Sequence, residues 1–425
     1  MSEREYVVTL NKGVDYAQFN QEMIASTGAG DIPNRTVDVA DARQKSTRNT
    51  HYALTDAEAE TLRNDSRVTD VQLRPDLRDD IEIGLTATQV RDFSKSTAES
   101  GNRTDWGKIR HSFLENVYGT GDSLTNYTRP YSMDGTGVDI VIQDSGLQVD
   151  HPEFNDANGV SRVQQIDWFA ASGITGSQSA SHYGDTDGHG THCGGTATGL
   201  NFGWASNARV YSVKVGGLEG PGDTGGISIS SVFDVIKAWH QNKPVDPNTG
   251  FKRPTIVNAS WGYSASILTG ITSIVYRGTT YGPGVDSSFS SQPNSHMRDT
   301  YGFYPYYRSG SYRFPIRVAS VDADVEDCVD AGVHVCIAAG NNYFKIDTSV
   351  GPGLDYNNVV FYGSGSSQYY HRGSSPFDEG ALMVGNMDST PQSATLERKV
   401  SSSSTGPGVN IYAAGTDILS TFSTS

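Results

Sequence analysis

The sequence contains few cysteines and no long hydrophobic run. Its three cysteines (Cys193, Cys328 and Cys336) are too few, and odd in number, for a disulfide framework. No apolar stretch approaches the ~20 residues that a membrane-spanning helix needs. The first residues, 1–6, show no basic region followed by an apolar stretch, so no signal peptide is predicted. These absences favour a reducing compartment, either the cytoplasm or the interior of an assembled particle.

The chain also lacks an excess of positive charge. It has 32 Lys and Arg against 48 Asp and Glu, which gives a formal net charge of −16. Such a charge opposes sequence-independent binding to nucleic acid phosphates or to anionic membranes. We therefore expect neither nucleic acid nor membrane as a partner. The 425 residues suffice for a large core with a smaller domain beside it.

Residues 1–77 have the pattern of a small α+β unit. A β-rich run begins at Tyr6, and Asp15 is placed to cap a helix that carries apolar residues at helical spacing. Thr55 and Glu58 form a capping-box pattern at a second helix. A last strand covers residues 68–73. The order strand, helix, strand, strand, helix, strand is that of a ferredoxin-like unit.

The remaining chain predicts a polar linker and then a parallel α/β domain. Residues 78–105 are largely polar and are interpreted as the linker, and the domain covers 106–425. Apolar strands alternate there with helices, which favours a parallel sheet. The predicted strands are 138–143, 209–215, 255–260, 333–339, 381–384 and 409–413, and the predicted helices are 190–200, 230–241 and 322–331. Residues 263–318, rich in Tyr, Ser and Gly, interrupt the pattern and are interpreted as an insertion.

Asp144 and His189 occupy positions that are typical of catalytic residues. Asp144 directly follows a buried-strand pattern, and active sites of open parallel sheets gather at the carboxyl ends of strands. His189 opens a helix whose first turns are nearly all small residues, so this helix can approach the sheet closely. A helix start also favours a neutral imidazole. His189 and His192 could instead ligate a metal, but no third ligand is evident.

The segments Val141-Ile142-Gln143-Asp144-Ser145-Gly146 and Gly188-His189-Gly190-Thr191-His192-Cys193-Gly194-Gly195 resemble the aspartate and histidine motifs of subtilisin-like serine peptidases. The cysteine in the second motif points to the proteinase K-like subgroup. The resemblance implies a subtilisin-like parallel sheet flanked by helices and a serine endopeptidase acting on polypeptides. It also implies that Asp144 orients His189 as the base, that Asn341 is an oxyanion donor, and that His192 is structural.

The same resemblance extends to substrate binding and to metal. Ser260, Trp261 and Gly262 match the strand that lines the pocket for the substrate side chain, and Gly225 is expected on an edge strand that pairs with substrate backbone. The subgroup has a calcium site with an Asp near the position of Asn410, and this change removes an anionic ligand. No cofactor is therefore expected, although calcium stays open.

Residues 1–77 resemble the inhibitory prosegment of the family, which makes the chain's own prosegment an expected partner. The family nucleophile is a serine in a Gly-Thr-Ser-x-Ala segment, and none of the 425 residues lies in such a segment. We expect the printed sequence to end just before it and to be inactive as printed. Three interpretations stay open: an incomplete endopeptidase chain, an inactive peptide-binding or structural protein, and a split enzyme whose serine lies on another chain.

Overall fold

The computed structural model of the protein describes residues 2–26, 28–85, 106–111, 133–220, 223–267, 270–303, 305–308, 311–348, 355–363, 365–368, 375–393 and 396–423. The first strands are β1 (Arg4–Leu10), β2 (Val39–Asp41), β3 (Asn49–Leu54), β4 (Val68–Leu73), β5 (Ile81–Leu85), β6 (Asp139–Asp144), β7 (Arg209–Lys214), β8 (Thr255–Ala259) and β9 (Trp261–Ile267). The others are β10 (Ile271–Tyr276), β11 (Thr279–Tyr281), β12 (Tyr306–Arg308), β13 (Ser311–Pro315), β14 (His334–Ala338), β15 (Val359–Tyr362), β16 (Gly365–Gln368), β17 (Leu382–Met387) and β18 (Ile411–Ala414).

The α-helices are mostly short. They are α1 (Tyr16–Ile24), α2 (Asp56–Leu62), α3 (Trp106–Arg110), α4 (Trp168–Ser172), α5 (His189–Thr198), α6 (Val232–Asn242), α7 (Ser295–Tyr301) and α8 (Ala319–Asp330). No helix in the described part of the chain is both long and apolar enough to cross a membrane.

The N-terminal unit forms an antiparallel sheet of order β2-β3-β1-β4. Its elements follow the chain order that the sequence predicts. The carboxylate of Asp15 accepts a hydrogen bond from the backbone of Gln18, and Thr55 and Glu58 form both bonds of a capping box. The two predicted caps are confirmed, because capping depends only on residues within one helical turn.

The sheet of the N-terminal unit buries apolar residues on both faces. Tyr6 and Val8 of β1 belong to a core shared with Phe19 and Met23 of α1. Val7, which points to the opposite face of the strand, is equally buried. That second face lies against α8 of the larger domain. The unit therefore has its own small core and is also packed on its neighbour.

A six-stranded parallel sheet of order β18-β17-β14-β8-β6-β7 forms the centre of the larger domain. These are the six predicted strands, each displaced by at most two or three residues at its ends. The predicted helices correspond to α5, α6 and α8. Gly332 follows α8 with a φ of +89°, the left-handed conformation that favours glycine at this position. The predicted α/β fold is confirmed.

Two further antiparallel sheets are built largely from the predicted insertion. One has the order β12-β13-β9-β5 and the other β11-β10-β15-β16. Strand β5 comes from residues 78–105, which the sequence analysis interprets as a linker. The first part of that segment is therefore a paired strand, and residues 86–105 lie outside the described part. The sequence analysis missed this strand because the segment 78–105 is largely polar and β5 is short. Its partner strand also lies 176 or more residues later in the chain.

A buried ion cluster joins the N-terminal unit to the larger domain. The guanidinium of Arg43 contacts Asp234 of α6 and Asp324 of α8, with nitrogen–oxygen distances of 2.7 Å to each. Asn49 of β3 also donates to Asp324 at 2.9 Å. Burial of Asp324, partly opposed by the Arg43 charge, raises the pKa of its carboxyl to about 7. Two carboxylates are thus held together by one arginine from another unit.

We expect Arg43→Ala to destabilise the protein by about 3–5 kcal/mol, because two buried carboxyl groups would lose their shared cation. Urea-induced unfolding would measure this loss. The matched control is Arg298→Ala, which removes an exposed pair with Asp299 and should cost about 0–1 kcal/mol. Equal losses in the two variants would contradict the role of the cluster.

Candidate active site

Asp144 is the last residue of the buried strand β6. Its side chain is fully buried, and its Oδ1 accepts a hydrogen bond of 2.7 Å from the backbone nitrogen of Ser145. Strand β6 lies inside the parallel sheet, between β7 and β8. The carboxylate therefore sits at the carboxyl edge of the sheet, where the chain leaves its neighbours and opens space for a ligand.

His189 begins helix α5 and faces this carboxylate. The preceding Gly188 has a φ of +88°, which turns the chain sharply into the helix. Nδ1 of His189 lies 2.7 Å from Oδ1 of Asp144, and both side chains are buried. The structure thus brings together two candidate residues that are 45 positions apart in the sequence.

The approach of α5 to the sheet depends on glycine. A Cβ atom on Gly190 would lie 2.1 Å from the carbonyl oxygen of Gly146 and 3.1 Å from the Cβ of Asp144. A Cβ atom on Gly194 would lie 2.7 Å from a methyl group of Leu147. No side chain fits at the first of these positions, because the obstructing atom is backbone. The predicted need for small residues in this helix is confirmed.

The pKa of His189 is subject to an effect that the helix start alone does not show. Burial disfavours the imidazolium, but the charge of Asp144 outweighs it and holds the pKa of His189 well above its ordinary value. A carboxylate at 2.7 Å favours the charged imidazole, whereas the positive end of the helix dipole opposes it. The preference for a neutral imidazole before proton transfer stays a prediction, and the role of His189 as the base depends on it. The arrangement stabilises an imidazolium, which a proton acceptor requires.

A second buried carboxylate, that of Asp185, links the end of strand β6 to the start of helix α5. The sequence analysis did not identify it. Its Oδ1 accepts a hydrogen bond from the hydroxyl of Ser145 at 2.8 Å. Its Oδ2 accepts from the hydroxyl and the backbone of Thr191 in α5. Asp185 also accepts from the backbone of Gly188. The sequence signal was an Asp four residues before the histidine, next to the loop that begins the helix.

Cys193 lies one helical turn after His189, with its Sγ 3.7 Å from Nδ1 of the histidine. It is a free, half-buried thiol. Burial raises the pKa of this thiol, and interactions with His189 and Ser260 partly oppose the rise. In the described part of the chain, Asp144, His189 and Cys193 are also the one group of three or more His, Cys, Asp or Glu residues whose ligand atoms all lie within 4.8 Å of one another. Because Nδ1 of His189 is occupied by Asp144, this geometry favours an acid–base pair over a metal site.

Asn341 follows β14 at the same edge of the parallel sheet. Gly340, with a φ of +87°, turns the chain directly before it. Asn341 is half-buried. Strand β14 pairs with β8, which pairs in turn with β6, so Asn341 and Asp144 end strands two positions apart. The role of Asn341 as an oxyanion donor stays a prediction.

In the predicted pocket strand Ser260–Gly262, the central side chain and the backbone have different surroundings. The side chain of Trp261 is fully buried and donates a hydrogen bond of 2.9 Å to the side chain of Gln143, so it belongs to the core. The backbone of this segment begins β9, where Gly262 lies opposite Gly84 of β5. The segment therefore presents a backbone edge, and that edge is occupied by a strand of the same chain.

Gly225 lies in the glycine-rich loop after β7. Its carbonyl oxygen is 3.2 Å from Nδ1 of the buried His182, and a Cβ atom would lie 2.7 Å from the hydroxyl of Ser181. Ile227, two residues later, forms a parallel bridge with Val215. The loop is thus anchored on both sides of Gly225. Its contact with substrate stays a prediction.

The residues around Asn410 do not fit a calcium site. The side-chain oxygen of Asn410 accepts a hydrogen bond of 2.7 Å from the backbone of Met383. That oxygen is therefore already engaged in holding β17. In the ranges the structure describes, no cluster of three carboxylate, histidine or cysteine ligands gathers around it. We derive no role for calcium at this position.

The chain is similar to known serine peptidases. The model of the family described as "Subtilase family" matches residues 135–425. A cuticle-degrading serine protease of Orbilia oligospora is 29% identical over 180 residues, which cover 41% of this chain and 39% of that protein. Subtilisin-like protease 3 of Pseudogymnoascus destructans is 32% identical over 175 residues, covering 41% and 37%. The match thus spans about two fifths of the length of these relatives.

Among the solved structures to which the chain is similar is that of a cold adapted subtilisin-like serine proteinase. It is 19% identical in sequence, with a TM-score of 0.40 over 76% of each chain.

We expect Asp144→Asn to lower the pKa of His189, because it removes the charge that stabilises the imidazolium. NMR titration of labelled histidine would measure this, with the resonance assigned through His189→Gln. Because the folded-state pKa is raised, the pair contributes stability below about pH 6.5 that is lost as pH rises through the folded pKa. The variant should lose this pH-dependent contribution. Asp150→Asn, at an exposed neighbouring position, is the control. An unchanged His189 titration in Asp144→Asn would refute the pairing.

Gly190→Ala should destabilise the domain by about 1–3 kcal/mol, because the added methyl group meets the backbone of Gly146. This cost opposes the gain of about 1 kcal/mol that alanine usually brings to a helix. Thermal unfolding would measure the difference. Gly284→Ala is the control, since no atom lies within 4 Å of its added Cβ. Equal or higher stability of Gly190→Ala would show that the helix is not held against the sheet.

Proposed function

Because the chain belongs to the subtilase family, we propose that it carries the acid–base half of a serine endopeptidase. The observation that carries this proposal is the buried pair of Asp144 and His189, with 2.7 Å between Oδ1 and Nδ1. The pair lies at the carboxyl edge of a parallel sheet, beside a strand that binds an extended segment through its backbone. Its proposed substrates are polypeptides.

The proposed chemistry follows from the orientation of the imidazole. Since Nδ1 faces Asp144, Nε2 is the ring nitrogen available to accept a proton from a serine hydroxyl. The hydroxyl oxygen then attacks the peptide carbonyl carbon, and the proton passes from His189 to the departing amine as the C–N bond breaks. Water hydrolyses the resulting ester in the same way. The serine belongs to a Gly-Thr-Ser-x-Ala segment, which none of the printed residues supplies.

Asn341 is proposed to stabilise the oxyanion that forms during this attack. The left-handed turn at Gly340 sets the Asn341 backbone beyond the sheet edge, on the side where Asp144 ends its own strand. A side-chain amide donor at such a position is worth roughly 10²–10³-fold in turnover when it is lost. Asn341→Ala in an active form should show a decrease of this size.

Residues 1–77 are proposed to act as an inhibitor-like prosegment for this site. The unit is docked on α6 and α8 through Arg43. Asp76, just after its last strand, accepts hydrogen bonds from the hydroxyls of Ser228 and Ser230, next to the glycine-rich loop. The chain then continues into β5 on β9. This route supports the expectation that the residues after β4 lead toward the cleft.

The test is to extend the chain by a Gly-Thr-Ser-x-Ala segment and its following helix. The extended protein should react with a serine-directed phosphonate and hydrolyse peptides. His189→Ala should reduce turnover by about 10⁶-fold, the size of loss seen when the base of subtilisin is removed. Asp144→Asn should reduce it by about 10⁴-fold.

Two results would contradict the proposal. Phosphonate labelling of the printed 425-residue chain at one of its own serines would place the nucleophile elsewhere. Full labelling of the extended protein carrying His189→Ala would show that this histidine is not the base. Asp150→Asn, which changes an exposed carboxylate near the site, is the control and should leave turnover unchanged.

A further inference from the structure

Strand β9 has a different neighbour on each edge. On one edge it pairs with β5, which places Glu82 opposite Ser264. On the other edge it pairs with β13 from the insertion, which places Pro315 opposite Ser264 and Arg313 opposite Ser266. The strand proposed to bind peptide backbone is therefore also the strand on which the insertion is built.

Glu82 and Arg313 lie on the same face of this sheet. Residues directly opposite each other in paired strands share a face, and so do residues two apart in one strand. Glu82 thus shares the face of Ser264, and Arg313 shares the face of Ser266. Both serines are small and buried. Their size leaves room for the arginine to reach across β9, and its guanidinium forms an ion pair with the Glu82 carboxylate.

Arg313 is the more enclosed member of this pair. Its side chain is 15% exposed, whereas that of Glu82 is 46% exposed. Its Nε is buried and has no hydrogen-bond partner in the described part of the chain. Burial lowers the pKa of the guanidinium. A cation held in this way needs a carboxylate partner, because enclosing a charge without one is costly; Glu82 is that partner in this structure.

The neighbouring positions of β5 have the opposite character. Ile81 and Ile83, which alternate with Glu82 along the strand, pack against the main hydrophobic core of the domain. Ile83 also lies against the loop after β7, with its Cδ1 3.6 Å from the position of a Cβ on Gly217. A strand bound to this edge of β9 therefore presents an apolar, an acidic and an apolar side chain in succession, as Ile81, Glu82 and Ile83 do in β5.

We propose that Arg313 is a specificity-determining residue that selects an acidic side chain in a peptide bound to β9, at the position opposite Ser264. Glu82 occupies that position in the chain itself, and a substrate with Glu or Asp there replaces it. The inference rests on the proposed function, because it takes β9 as the strand that binds substrate. It adds a role for the insertion, which supplies the arginine.

The test measures peptide binding to the full chain, independently of catalysis. The host carries Ile83→Asp, which removes an apolar contact of β5 and frees the edge of β9. The probes are fluorescein-labelled peptides of the sequence of residues 80–85, Asp-Ile-Glu-Ile-Gly-Leu, with Glu or Gln at the third position. Fluorescence anisotropy should show at least about ten-fold tighter binding of the Glu peptide, because a charged hydrogen bond is lost with Gln.

Variants of the host assign the preference to one residue. Arg313→Gln should abolish the difference between the two peptides, and Arg313→Glu should favour a peptide with Lys at the third position. Arg298→Gln, on α7 of the same insertion and paired with its neighbour Asp299, is the matched control and should retain the full preference. Circular dichroism of each host would verify folding, and Arg313→Lys provides a variant that keeps the charge and should retain part of the preference.

Two results would overturn the inference, and they are distinguishable. Equal binding of the Glu and Gln peptides to the Arg313 host would overturn it while leaving β9 as a peptide-binding strand. Failure of a folded host to bind either peptide would overturn the assignment of β9 as well, and with it the substrate-binding part of the proposed function.

Discussion

The contact between Asp144 and His189 constrains much of the surrounding structure. A carboxylate and an imidazole at 2.7 Å need a strand end and a helix start in close approach, and this excludes any side chain at Gly190. The approach is maintained by Asp185, which accepts hydrogen bonds from Ser145 after the strand and from Thr191 in the helix. The same closeness explains the raised pKa of His189, since burial alone would lower it.

Strand β9 connects the other parts of the molecule to this centre. It starts at the buried Trp261, whose indole donates a hydrogen bond to Gln143, the residue before Asp144. One of its edges carries β5, which follows the N-terminal unit, and the other carries β13 of the insertion. A peptide bound at the first edge is therefore within reach of side chains from the second. The small side chains of Ser264 and Ser266 make this reach possible, because they leave room for a longer side chain to cross β9.

Local sequence patterns predicted helices and strands well, but they predicted less well which elements pair or pack with each other. The six parallel strands, the capping box at Thr55 and the glycine after α8 all depend on residues within a few positions of each other. Strand β5 was interpreted as linker because its partner lies far away in the chain. The side chain of Trp261 is part of the core, which was not foreseen, because the sequence does not show which side of the strand faces inward. The raised pKa of His189 was not expected, because the dipole of a helix was weighed without the distance to Asp144.

The sequence alone predicted that Asp144 and His189 act together, the order of the elements in the N-terminal unit and of the six parallel strands, and the α/β class. These follow from motif spacing, hydrophobic periodicity and helix caps, which are short-range properties. Only the tertiary structure decided that Arg43 holds Asp234 and Asp324, that Asp185 links the strand to the helix, and that Glu82 meets Arg313. The ion pairs of Arg43 and of Arg313 each join residues separated by more than 190 positions. The pair of Glu82 and Arg313 also depends on the order of strands in a sheet. The physical reason is that the free energy of a buried charge is set by which elements pack around it, and that packing is settled only when the whole chain has folded.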